Sequence, residues 1–184
     1  MFLKIIKLLR ACFLLLAFAG AMLSTLRADT CKTQAQMLPA MREVLSSEAR
    51  SIVAGVQRGD IPALQADTIP AVAADFSGIA ASVDKLKPLI QQAGITIENL
   101  YFLEASTVSA GTTRTDFYCG SPVVALNFND LPPGSYALVV LHATGVPQPQ
   151  QITLILSLTP EQNWMLTGLF SKPKTETGHD SLWY

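Results

Sequence analysis

Among the side chains that can move protons, His142 stands in the most ordered setting. It closes a run, Tyr136, Leu138, Val140, His142, in which every second residue falls on one face of an extended strand. A neutral imidazole on such a face acts as a general base when a carboxylate holds its tautomer, and Asp116 and Glu104 are the acids expected across the sheet. At the rim of a sheet the same ring would simply hydrogen-bond to backbone or water. Tyr101, Tyr118 and Trp164 read first as sheet and core aromatics. Together with His142 they are also the best candidates for a ligand pocket, which needs apolar walls and a few polar groups.

Other chemistry lacks its residues. There is no phosphate-binding glycine loop, dinucleotide fingerprint, zincin helix or nucleophile elbow. No cofactor is expected. Only His142 and His179 are available as imidazoles, and neither has ligand spacing to a cysteine, so no metal site is expected either. Cys31 and Cys119 are the two cysteines left once the N-terminal segment is set aside. An even pair in an exported chain suggests one disulfide, and two buried thiols are the alternative.

That N-terminal segment reads as a leader. Lys4, Lys7 and Arg10 precede the apolar run 11–23, and the pattern is that of a signal peptide covering residues 1–28. Export to a periplasm or to the outside follows, with no membrane attachment after cleavage. Of 13 Lys+Arg and 14 Asp+Glu, the leader holds Lys4, Lys7, Arg10 and Arg27, so nine basic and fourteen acidic residues remain. With that acidic balance and no basic patch interleaved with aromatics, nucleic acid is not an expected partner. The mean hydropathy of +0.33 is raised by the leader.

The elements that must position these residues fall into two halves. Residues 33–58 carry a helical stripe of Leu38, Met41, Leu45, Ala49, Ile52 and Val56, with Pro39 near its start. Gly59 is suited to end that helix, and Asp60 to cap the next. Thr68 before Pro70 reads as a further cap. Val72, Phe76, Ile79, Val83, Leu86 and Ile90 then repeat at helical spacing, interrupted by Gly78 and Pro88, which predicts two short helices or one bent one. From residue 95 the period changes to two. Residues 95–106 alternate with Ile95, Ile97, Asn99, Tyr101 and Leu103 on one face, and residues 116–121 and 123–128 are short strands around Gly120 and Pro122. Residues 135–145, 151–160 and 163–172 close the chain as three consecutive strands. Ile152, Leu154, Leu156 and Leu158 give the middle one a wholly aliphatic face, which requires a covering layer. The expected domain, 29–171, is therefore α+β: N-terminal helices on one face of an antiparallel sheet of five or six strands.

Two segments carry a family resemblance. Residues 56–70, VQRGDIPALQADTIP, are similar to the helix–Gly-Asp–helix entry of exported NTF2-like (cystatin-like) α+β cone proteins. Residues 162–173, QNWMLTGLFSKP, resemble the closing Trp-x-Leu-x-Gly strand of that superfamily. The resemblance implies a concave pocket between helices and sheet, and members range from small-molecule enzymes to binding and assembly domains.

The leading functional expectation is an exported, non-enzymatic domain that binds a small molecule or a protein through such a cavity. One alternative is an isomerase or dehydratase with His142 as general base. Another is a structural module at the front of a longer protein, suggested by the tail. Residues 172–178 are polar, Asp180 or Ser181 could cap a helix, and Leu182, Trp183 and Tyr184 follow. Those three side chains either open a further helical segment, the reading adopted here, or dock back onto the domain.

Overall fold

The computed structural model describes residues 30–174 apart from Thr107 and Ala110. The leader, and the tail from 175 on, lie outside the described residues. The elements are β1 (Thr30–Thr33), α1 (Pro39–Arg58), α2 (Ile61–Ala66), α3 (Pro70–Ala73), α4 (Ser77–Ile90), β2 (Gly94–Glu104), β3 (Arg114–Cys119), β4 (Val124–Asn129), β5 (Ser135–Thr144), β6 (Gln150–Leu158) and β7 (Trp164–Pro173).

The helices form where the stripe and the caps direct them. Pro39 occupies the first turn of α1, and Gly59 ends it with φ of 70°, in the left-handed region that only glycine enters without steric cost. Asp60 caps α2, its carboxylate accepting a hydrogen bond from the Ala63 amide at 3.3 Å. Thr68 does not cap. It is buried and donates its hydroxyl to the Leu64 carbonyl at 2.7 Å, while the backbone on either side of it joins β7 at Leu166. The helical break falls between α3 and α4, at residues 74–76, and Pro88 is accommodated in the last turn of α4. At the start of α1 the stripe is offset by one residue, with Met37 buried and Leu38 73% exposed. Residues 30–33, just before the expected first helix, pair as a strand.

Five strands form one antiparallel sheet in the order β1-β2-β5-β6-β7, and β3 and β4 form a separate hairpin. The helices cover one face of the sheet. Leu45, Ile52, Val56, Val83, Leu86 and Ile90 meet Leu100, Val139, Leu141, Ile152, Leu154 and Leu156 there, all fully or nearly fully buried. The hairpin covers part of the other face, where Phe117 and Cys119 pack on Tyr101, Leu103, Tyr136 and Leu138. The result is a three-layer arrangement of helices, sheet and hairpin.

A bulge in β2 decides which residues reach which layer. The pairing with β5 runs Ile97↔Leu141 and then Asn99↔Val140, leaving Glu98 as the extra residue. Ile95 and Ile97 face the helices, and beyond the bulge Leu100 and Phe102 do so. Tyr101 and Leu103 therefore face the hairpin instead of sharing a face with Ile95 and Ile97, which corrects the unbroken alternation read from the sequence.

The hairpin is tied down covalently. Cys31 on β1 and Cys119 on β3 are bonded, with Cα atoms 5.2 Å apart and a sequence separation of 88. An isolated two-stranded hairpin is marginal in water. Here the bond fixes it to the edge strand of the main sheet, and the Phe117 and Phe128 rings pack edge to face at 5.9 Å to fill the space beneath it.

Candidate functional site

The four aromatic and imidazole candidates occupy four different places. Tyr101 lies in the hairpin-side core, and burial, with the Glu98 carboxylate adding to it, pushes its phenol above the usual tyrosine range. Tyr118 points outward from β3 and is 67% exposed. Trp164 lies on the helix side, packed against the core at the first residue of β7. His142 is near the far end of β5, opposite Thr96 and Gln151. They do not line one cavity. The bulge in β2 and the strict alternation of β5 send Tyr101 and His142 to the face away from the helices.

His142 has acquired a different neighbour from the expected carboxylates. Its Nδ1 is 3.4 Å from Lys174 Nζ, and Lys174 also pairs with Glu98 at 2.9 Å. A lysine ammonium only donates, so in a hydrogen bond between the two Nδ1 is the acceptor. Nε2 is buried without a hydrogen-bond partner among the described residues. Glu104 is at the opposite end of the sheet, held by Ser135 at 3.1 Å, and seven residues of β5 put ~23 Å between that end and His142. Asp116 is occupied on the hairpin, where Arg114 and Asn127 donate to it at 2.8 and 2.6 Å and hold its carboxyl below the usual aspartate range.

Trp164 does line an open cleft, on the helix face of the sheet. The cleft measures about 460 Å³ and lies between the first turns of α1 and the strand ends that follow. Ala40, Met41 and Val44 form one wall, Phe102, Leu158 and Trp164 the other, and Glu104, Ser135 and Gln162 stand at the polar end. Phe102 and Trp164 meet edge to face at 6.2 Å, and the Lys32 ammonium sits 5.9 Å from the Phe102 ring centre. Gln162 is held at φ of 66° by the β6–β7 turn, in which its amide donates to the Thr159 carbonyl at 2.9 Å. Volume and lining suit a small ligand with an apolar body and one or two hydrogen-bonding groups. Of the lining residues, the sequence singled out Trp164 as a ligand candidate and Glu104 as a possible acid beside His142. Met41 was readable as helix stripe, but Phe102 is aimed here by the bulge, and a bulge between polar residues leaves no alternation signal.

A second open groove, about 410 Å³, runs along β4 on the opposite face, floored by Leu138, Thr153 and Ile155 and bounded by Phe170. Among the described residues there is no group of three or more His, Cys, Asp or Glu side chains that could hold a metal ion. No helix among them is long and apolar enough to cross a membrane. Compared with known proteins, the chain matches no family model, no curated protein and no solved structure.

Proposed function

We propose that this is an exported binding domain, without catalytic activity, that takes a small, mostly apolar ligand in the cleft between α1 and the sheet. The observation that carries this reading is the cleft wall itself: Phe102 and Trp164 in edge-to-face contact, opposite Met41 and Val44, beside the Glu104–Ser135 hydrogen bond. Aromatic rings fixed by rigid strands present apolar area at little entropic cost, and a partly buried carboxylate–hydroxyl pair supplies direction. Export is supported by the leader and by the Cys31–Cys119 bond, which persists in an oxidising compartment. The helices-then-meander order, the capped Gly59-Asp60 joint and the closing Trp164 strand support a relationship to NTF2-like domains.

The test uses the environment-sensitive dye anilinonaphthalene sulfonate as an apolar probe. Binding in the cleft quenches Trp164 emission by energy transfer. Val44→Arg, at a position already 52% exposed, places a charge at the mouth and leaves the core intact. Its expected effect is a several-fold weaker dye affinity with an unchanged thermal melt. Equal dye binding in the Val44→Arg protein, or binding that leaves Trp164 emission unaltered, would overturn the assignment.

A further inference from the structure

The groove on the hairpin side is walled by the edge of a strand. Five consecutive residues of β4, 125–129, line it. Successive side chains of a strand point to opposite faces, and here Leu126 and Phe128 pack toward the main sheet while Ala125, Asn127 and Asn129 are exposed. Residues of both orientations can border one groove only along the strand's edge, so the wall is the backbone of β4. Among the described residues β4 pairs with β3 alone, and its outer edge presents a row of unpaired amides and carbonyls to the groove.

Below that edge the main sheet continues. Leu138, Thr153 and Ile155 form the floor, and Phe170 on β7 stands opposite β4 with its ring 57% exposed. The ring rests on Gly168, where an added Cβ would meet it at 3.0 Å. None of the described residues lining the groove is charged, and residues 117–129 contain no Lys, Arg, Asp or Glu. Exposed edges are ordinarily guarded by a lysine, a proline or a bulge that prevents pairing. β4 has none of these, and its register with β3 is regular from Val124 to Asn129.

We propose that this groove takes an extended, uncharged segment of another protein, which adds as a third strand beside β4 and lays alternate apolar side chains on Ile155 and Phe170. The strand edge supplies main-chain hydrogen bonds, and the floor selects side chains at every second position. The match in charge follows from the neutral lining, which would strip an ionised side chain of water without giving it a partner. Five residues of wall accommodate an extended segment of ~17 Å. The fold excludes antiparallel pairing with the β4 of a second copy. The twofold axis of such a pair stands perpendicular to the hairpin, so the β6 and β7 of the second copy would enter the layer already filled by those of the first. A lone extended segment has no such layer beneath it. This site is on the opposite face of the sheet from the cleft beside α1.

The experiment uses the full chain and a coumarin-labelled, amide-capped peptide, Thr-Val-Thr-Val-Thr-Val, as the probe. Fluorescence anisotropy should show saturable binding below about 1 mM peptide. The corresponding ester-linked chain keeps the side chains and carbonyls but has no N–H donors, and should bind roughly tenfold or more weakly. Thr153→Lys, which puts a charge on the half-buried floor, should weaken peptide binding several-fold. Val44→Arg, at the mouth of the cleft, should leave it unchanged. Should Thr153→Lys fail to fold, the ester comparison stands on the unaltered protein. Equal binding of the amide and ester chains overturns the proposal, as does a peptide affinity lost in Val44→Arg, which would seat the peptide in the cleft. A full chain that takes up no peptide, as when a segment of its own already lies along β4, overturns it too. So does a dimer by sedimentation that Thr153→Lys dissociates, which would make a second copy the occupant.

Discussion

The two faces of the sheet are covered by different means. On the helix side, α1 and α4 bring an aliphatic stripe down on Val139, Leu141, Ile152, Leu154 and Leu156, and every one of these strand residues is fully buried. On the other side a two-stranded hairpin covers a smaller core of Tyr101, Leu103, Phe117 and Tyr136, and one disulfide holds it to β1. Long amphipathic helices bury enough area to stay in place without a covalent link. A hairpin of six-residue strands does not, and the bond replaces the missing area. The two grooves described lie at the margins of these covers, one walled by the first turns of α1 and the other by β4.

Breaking the staple is expected to have the largest effect on stability. Replacing Cys31 and Cys119 together by serine releases an 88-residue constraint, for which loop-closure entropy gives about 4–5 kcal/mol. Urea denaturation of the double variant should show an unfolding free energy lower by that order. A shift close to zero would mean that the hairpin holds by packing alone, and the contrast between faces would disappear.

Truncation within the helix-side core comes next. Leu154 is fully buried in the central part of β6, and Leu154→Ala should cost about 3 kcal/mol, transfer and cavity contributions combined. Phe170→Ala, on the open margin, should lower the unfolding free energy by roughly 0.5 kcal/mol or less.

The smallest effect sharpens the hairpin side and depends on pH. Tyr136 donates its hydroxyl to the Pro132 carbonyl at 2.8 Å, and burial pushes its phenol above the usual range. A folded value raised above the unfolded one leaves the contribution fully present below pH ~10 and removes it as pH rises through the folded value. Tyr136→Phe should lower stability at neutral pH by about 1 kcal/mol and flatten the alkaline limb of the melting profile. An alkaline limb as steep as in the parent protein would assign it to another group. Tyr101, raised in the same direction, is the first to test.

The helix face was legible in the sequence because its signals are local and periodic: the Leu45–Ile52–Val56 stripe, the Gly59-Asp60 joint, and the alternation of Ile152, Leu154 and Leu156. The bond between Cys31 and Cys119 was suggested by count and compartment. The hairpin's position was not legible, since nothing in residues 114–129 says that these strands leave the main sheet to lie across it. The β2 bulge was equally silent, because Glu98 and Asn99 are both polar and either suits the solvent side of a regular strand. That one extra residue parts Tyr101 from the helix face and aims Phe102 at Trp164, so the candidate cleft depends on a feature that sequence periodicity does not carry.

Native-state hydrogen exchange with and without a reductant tests the division most directly. With the Cys31–Cys119 bond intact, amides of β3 and β4 should be protected. On reduction, those of β3 and β4 should exchange orders of magnitude faster, while β5 and β6, covered by α1 and α4, keep most of their protection. Loss of protection in all strands together would contradict the account, as would a hairpin whose amides exchange equally slowly in the reduced and oxidised protein.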